Sequence, residues 1–215
     1  MLGNVWFTVS SRQESSQQGV QTMTGKLKKN IEIALGAVAV IWLVYLIELI
    51  LPFDLKMYGI RPRSIVGLWG IAISPFLHAG FAHLIANTSA LAILLILSLS
   101  YSRKLTFEAL AFVWLAGGGM VWIFGSARSV HIGASGIIFG MIGFLLFLGV
   151  FRREWKTIVI SLVVLVFYGG TILSMLVYVP GVSWAGHFFG FCAGVLAAWL
   201  ARPDEEENAR RSARR

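Results

Sequence analysis

Six long apolar stretches constrain the fold of this chain more than any other feature. Each is long enough for an α-helix to cross the ~30 Å hydrocarbon layer of a bilayer, which takes about 17–25 residues. The stretches lie at 31–53, 82–100, 105–125, 134–151, 157–179 and 184–201. Charged residues make up 13% of the chain, against about 25% in an average soluble domain. We therefore predict an all-α membrane protein built as a bundle of six transmembrane helices.

The polar segments outside these stretches divide the chain into three parts. Residues 1–30 form a predicted N-terminal tail, 31–201 the helical domain and 202–215 a charged C-terminal tail. Within the domain, residues 54–81 contain too many charges and prolines for a further span. Their apolar residues favour short helices that lie in the membrane interface.

The distribution of Lys and Arg predicts how the bundle is oriented. With six spans, both tails lie on one side of the membrane. Only four of the 18 basic residues fall on the other side, namely Lys56, Arg61, Arg63 and Arg128. The positive-inside rule therefore predicts a multi-pass protein of the cell membrane with both termini in the cytoplasm. Because the basic residues form short clusters between apolar runs, we expect no nucleic-acid partner.

Polar groups inside a span cost ~2.5–3.5 kcal/mol on insertion scales. Glu32, Glu48 and Glu108 lie near span ends, where reaching the interface is a sufficient explanation. Four other polar side chains lie inside the predicted spans at positions that converge. His83 and Asn87 share one face of the second span, Ser135 opens the fourth, and His187 lies near the start of the sixth. At ~1.5 Å per residue, all four lie roughly 20–26 Å from the cytoplasmic ends of their helices. Three parallel helices thus bring them to one depth near the outer face, which predicts a functional site.

The serine lies in the sequence Gly133-Ala134-Ser135-Gly136. Flanking glycines permit a sharp turn and a close approach of substrate. A helix N-terminus also leaves backbone N–H groups free to stabilise an oxyanion. Alone, this motif is weak evidence, because Gly, Ser and Ala are ordinary helix-packing residues in membranes.

The histidine strengthens the case, because Gly186 precedes it and Gly190 and Gly194 follow at helical spacing. Small residues four apart let two helices approach closely. If this face packs against the glycines of the fourth span, His187 comes within hydrogen-bond reach of Ser135 and serves as its base. No Asp or Glu lies at this depth, so the residues predict a Ser–His dyad.

The three motifs together resemble the rhomboid family of intramembrane serine proteases, in order, spacing and helix count, over roughly residues 31–201. The resemblance implies a water-filled cavity open to the outer face, with Ser135 as nucleophile and His187 as general base. It further implies that Asn87, His83 and the backbone N–H of Ser135 surround the oxyanion. The expected partners are transmembrane protein substrates within the lipid bilayer, cut near their outer ends; we expect no cofactor and no metal.

Two positions depart from the family pattern. Many members carry a Trp-Arg pair in the first loop, but here Trp69 is followed by Gly70. The support from that arginine is therefore either absent or supplied by another residue, such as Arg61 or Arg63. Members often carry Tyr four residues after the nucleophile. Phe139 stands there, which retains stacking on the histidine and loses the phenol hydroxyl.

Two other classes of function compete with a protease. One is a rhomboid-like protein that binds membrane helices without cutting them, although such proteins lack the serine or the histidine. The other is a small transporter, which often shows inverted repeats and polar groups near the midplane; neither feature is evident in this sequence. The single cysteine, Cys192, excludes an internal disulfide and a Cys-based zinc site.

Overall fold

The computed structural model describes residues 3–177 and 181–203. Its α-helices are α1 (Gly3–Ile50), α2 (Trp69–Ile73), α3 (Phe81–Tyr101), α4 (Arg103–Phe112), α5 (Gly118–Phe124), α6 (Ser135–Arg152), α7 (Trp155–Leu173) and α8 (Trp184–Leu200). In these two ranges the only β-pairing is an isolated antiparallel bridge between Ile60 and His131. The predicted all-α class is therefore confirmed.

Each predicted stretch corresponds to an apolar helix. Five helical segments of the described chain are long and apolar enough to cross a membrane: Gln21–Ile50, Phe81–Tyr101, Arg103–Phe124, Ser135–Arg152 and Trp155–Leu173. The sixth, α8, has 17 residues and a length of about 26 Å at the rise of an α-helix. The protein is thus a multi-pass membrane protein with a helical bundle.

Some helix ends differ from the predicted boundaries. The first helix begins at Gly3 rather than near residue 31, so residue 30 marks a change in composition without a break in the helix. The fifth stretch was expected to run to residue 179, but α7 ends at Leu173 and a 3₁₀ turn, Ser174–Leu176, follows. From residue 204 onward, the predicted C-terminal tail lies outside the described residues.

The most buried helix is α6, and α8 packs along it. The side chains of Met141, Ile142, Phe144, Leu145 and Leu148 on α6 are at most 1% exposed. The contact with α8 is so close that backbone meets backbone. A β-carbon on Gly190 would overlap the carbonyl oxygen of Gly136, and one on Gly194 would overlap that of Gly140. The predicted glycine-lined interface is therefore present.

The third span changes its winding halfway. Between α4 and α5, residues Val113–Gly117 form a π-helical turn. The side chain of Val113 occupies the space beside Gly140 on α6, and the indole of Trp114 donates a hydrogen bond to the carbonyl of Ile71, 2.6 Å away. The turn thus connects this span to both the central helix and the first loop.

The loop before α3 folds into short helices, as predicted. Besides α2, it contains 3₁₀ turns at Leu55–Tyr58, Val66–Leu68 and Ser74–Phe76. Ile65, Val66 and Trp69 are at least 71% exposed, and such an apolar surface suits contact with lipid.

Arg63 connects the first loop to the end of α5. Its guanidinium donates to the carbonyls of Ile123 and Gly125, both at 2.8 Å, and its backbone N–H donates to the carbonyl of Trp122 at 2.9 Å. These carbonyls lie at the end of α5, so Arg63 ties the first loop to the third span. Gly70 cannot carry a side chain, because a β-carbon there would overlap the backbone of Gly59.

Candidate active site

Ser135 is the first residue of α6, and the turn before it is unusually tight. Gly133 has φ +102°, a conformation that glycine adopts without strain. A β-carbon on Gly133 would lie 2.8 Å from His83 Cε1 and 3.3 Å from Asn87 Nδ2. The glycine therefore lets the serine turn lie directly against the polar face of α3, and the structure brings these two motifs together as predicted.

Asn87 is the centre of a buried polar cluster. Its Nδ2 atom lies 3.0 Å from His83 Nε2 and 3.1 Å from His78 Nε2. His78 Nδ1 in turn lies 3.3 Å from the carbonyl oxygen of Phe76. Since that carbonyl can only accept, Nδ1 of His78 carries the hydrogen and Nε2 accepts from the amide. Both amide hydrogens of Asn87 are thus directed at imidazole nitrogens.

Sequence reasoning missed the place of His78 in this cluster. The side chain is 1% exposed, and burial lowers the pKa of His78 to about 4, so the ring is neutral near pH 7. His78 precedes the first residue of α3, and helical spacing therefore gave no link between it and Asn87. The one available signal was the presence of three polar side chains within ten residues of a mostly apolar stretch.

His187 lies in the first turn of α8, with its ring stacked on Phe139. The ring centroids are 4.1 Å apart and the planes differ by 17°. Phe139 therefore stacks on the imidazole ring of His187. The helix start is capped by Ser183, whose Oγ accepts from the N–H of Gly186 at 3.1 Å and whose carbonyl accepts from the N–H of His187 at 3.1 Å.

The helix turns that carry Ser135 and His187 face each other. A β-carbon on Gly136 would lie 3.3 Å from the carbonyl oxygen of Gly186, so the residues adjacent to the serine and the histidine are in contact. Among the hydrogen bonds of the described residues, however, none joins Ser135 to the His187 ring. The expected bond is absent here; catalytic hydrogen bonds often shorten only when substrate binds.

A small cavity opens beside the serine. Its volume is about 40 Å³, and its wall includes Ser135, Gly136, Gly186, Ser74 and His131. A buried water needs roughly 10–15 Å³ of such space and two or more polar partners. The cavity is therefore large enough for a few water molecules beside the hydroxyl. Among residues 3–177 and 181–203, no group of three or more His, Cys, Asp or Glu side chains is placed to hold a metal ion.

Comparison with known proteins agrees with this geometry. A protein of Mycobacterium tuberculosis and one of Mycobacterium leprae, both uncharacterised, are 43% and 40% identical to the chain. Each alignment covers 79% of this chain, and 74% and 70% of those proteins respectively. A Bacillus subtilis protein named "Putative rhomboid protease YdcA" is 30% identical over 65% of this chain and 71% of its own length. No solved structure matches.

The family match covers the site as well as the bundle. The sequence model of the Rhomboid domain aligns with residues 66–204, which include α3, the serine turn, α6 and α8. Since this match spans well over half of the 215 residues and contains all three motifs, the chain belongs to the rhomboid family.

Proposed function

We propose that the protein is an intramembrane serine protease with Ser135 as nucleophile and His187 as general base. The observation that carries this proposal is the packing of the first turn of α6 against that of α8. Gly136 contacts Gly186, and Gly190 leaves room for the carbonyl of Gly136. Rhomboid family membership supports the same reading.

The proposed reaction follows from these positions. An imidazole nitrogen of His187 removes the proton of the Ser135 hydroxyl while Oγ attacks the carbonyl carbon of a peptide bond. The resulting imidazolium then gives this proton to the leaving amine, and an acyl-enzyme remains. A water from the cavity attacks the ester in a second round of the same proton transfers. Stacking on Phe139 restricts the imidazole ring during both rounds.

The negative charge of the tetrahedral intermediate would be stabilised at the turn before α6. The N–H of Ser135 belongs to the first turn of the helix, where such groups lack partners within the helix. Asn87 has one N–H directed at His83 Nε2. An oxyanion is a stronger acceptor than a neutral imidazole, so we propose that this N–H turns to the oxyanion. In the tautomer that carries its hydrogen on Nε2, the ring of His83 donates a further hydrogen bond to the oxyanion.

The substrates that suit this site are single transmembrane helices, cut near their outer ends. The distribution of basic residues supports this orientation, with both termini in the cytoplasm and the site open to the opposite, outer face. The peptide bonds of a regular helix are shielded by its own hydrogen bonds. A substrate helix must therefore unwind locally before Ser135 can reach its backbone.

A fluorophosphonate probe tests the dyad directly. Purified protein in detergent should be labelled on Ser135 and on no other serine, as judged by mass spectrometry. Ser135→Ala should lose labelling and cleavage with little change in melting temperature, and His187→Ala should lose both for want of a base. Ser98→Ala is the matched control, because Ser98 is a 1% exposed serine on α3, remote from the motifs.

The alternative is a rhomboid protein that binds membrane helices without cutting them. The absence of a Ser135–His187 hydrogen bond favours that alternative, since an unactivated serine is a weak nucleophile. Wild-type protein that stays unlabelled in bilayers, and cuts no transmembrane substrate there, would exclude the protease and leave the helix-binding protein or a transporter.

A further inference from the structure

We propose that His131 is a positioning residue that fixes the first turn of α8, and with it His187, relative to Ser135. The inference rests on the proposed function of Ser135 and His187. His131 lies in the loop between α5 and α6, two residues before Gly133. Its side chain is 8% exposed and lines the cavity beside Ser135, but it has no role in the proton transfers proposed above.

The ring of His131 connects two serines on different segments. Its Nδ1 lies 2.7 Å from Ser183 Oγ, and its Nε2 lies 2.9 Å from Ser129 Oγ. Ser129 donates its hydroxyl hydrogen to the carbonyl of Ser126 at 2.8 Å, so its oxygen accepts from Nε2–H of the ring. Nδ1 is therefore the acceptor, and Ser183 donates to it.

The direction of these bonds makes Ser183 a link between the loop and α8. Its oxygen accepts from the N–H of Gly186, while its hydrogen goes to His131. The ring must be neutral to accept, and burial lowers the pKa of His131, which favours the neutral form. The capping oxygen of α8 is thereby held at a fixed orientation in the turn before His187.

The backbone of His131 is fixed independently of its ring. Its N–H and its carbonyl pair with the carbonyl and the N–H of Ile60, both at 2.9 Å. A β-carbon on Gly125 would lie 3.1 Å from Nε2 of the ring, so the residue that follows α5 packs against the Nε2 edge of the imidazole. The loop that leads into the serine turn is thus rigid at the point where it holds α8. Loss of the ring would release the histidine turn and leave the serine turn in place.

Two amide substitutions test the hydrogen bonds of the two ring nitrogens separately. In His131→Asn, the amide oxygen stands where Nδ1 was and accepts from Ser183. In His131→Gln, the amide reaches the position of Nε2 and retains only the bond to Ser129. We expect His131→Asn to keep most of the turnover and His131→Gln to lower kcat about 10–100-fold, since small displacements of catalytic groups cost that much. KM should change little, because binding of substrate is unaffected.

Turnover should be measured per competent active site, counted by end-point fluorophosphonate labelling, with melting temperatures recorded in parallel. Ser129→Ala, which removes only the bond on the Nε2 side, is the matched control and should retain its turnover. Ser183→Ala removes the cap on Gly186 as well as the bond to His131, so it should lower kcat in the wild type. Its further effect in the His131→Gln background should be smaller, because the bond that the two residues share is already lost there.

The outcomes distinguish this inference from the function on which it rests. Wild-type protein that neither labels nor cleaves would overturn the proposed function and the inference with it. An active wild type with equal kcat for His131→Asn and His131→Gln would overturn the inference alone. So would a loss in kcat that follows melting temperature across all variants, since that is the mark of a purely structural role.

Discussion

The carbonyl oxygen of Gly136 occupies the space that a β-carbon on Gly190 would fill. Gly190 and Gly194 carry no side chains, so the backbones of α6 and α8 are in direct contact. The absence of side chains at these two positions therefore sets the separation between the serine helix and the histidine helix. Residue volume at this point controls the distance across which His187 must act on Ser135.

Gly190→Ala should consequently impair both folding and reactivity. The added methyl meets backbone, which cannot rotate away, and overpacking of this kind costs about 1–3 kcal/mol or more. We expect a lower melting temperature and slower fluorophosphonate labelling of Ser135. Gly119→Ala on α5 is the control, since nothing lies within 4 Å of its β-carbon position. Equal behaviour of the two variants would show that the close contact is not needed.

Asn87→Ala should reduce catalysis beyond its effect on stability. Loss of one oxyanion donor typically lowers turnover ~10²–10³-fold, and the unpaired nitrogens of His78 and His83 cost about 1–3 kcal/mol. Thr88→Ala is a matched control on the same helix, because Thr88 is 5% exposed and bonded to the carbonyl of Leu84 at 2.8 Å. Its turnover should stay near wild type. If Asn87→Ala did the same, the role of Asn87 would be limited to its hydrogen bonds with His78 and His83.

The predicted orientation can be tested with single cysteines. In a Cys192→Ala background, Gln21→Cys on α1 and Ala127→Cys between α5 and α6 introduce thiols at exposed positions. Membrane-impermeant maleimide applied to intact cells should label position 127 only, and position 21 should react after permeabilisation. Labelling of both positions in intact cells would contradict the six-span arrangement.

Cleavage should depend on how readily a substrate helix unwinds. Replacing Gly, Pro or polar residues near the outer end of a cleaved transmembrane segment with Leu should slow its cleavage in proteoliposomes, because Leu favours the helix. The same replacements near the cytoplasmic end serve as the control and should have little effect. Equal rates for both sets would mean that local unwinding is not a requirement.

What the sequence predicted well are features that follow from the periodicity of single helices. The apolar stretches define the spans, i,i+4 spacing places His83 beside Asn87, and the glycine repeats define the α6–α8 interface. Relations between distant segments were not predictable in this way. Arg63 reaches carbonyls about sixty residues away, and His78 joins Asn87 across a non-helical turn. Such contacts depend on how the loops fold back, and no local periodicity encodes them.

Because of the π-helical turn at Val113–Gly117, the residues of α4 and α5 do not follow one continuous α-helical register. Such a turn adds a residue to a helix, and each residue of an α-helix adds a rotation of about 100°. If Val113–Gly117 wound as a regular α-helix with the same residues, α5 would therefore be rotated relative to α4, and Gly117, whose β-carbon position lies 3.4 Å from the Cα of Gly190, would turn away from α8. Deleting one residue of the turn, such as Leu115, which is 65% exposed, should convert it to an α-helical turn and leave both α4 and α5 in place. A single inserted residue thus lets one helix match the spacing of its neighbours separately in each leaflet.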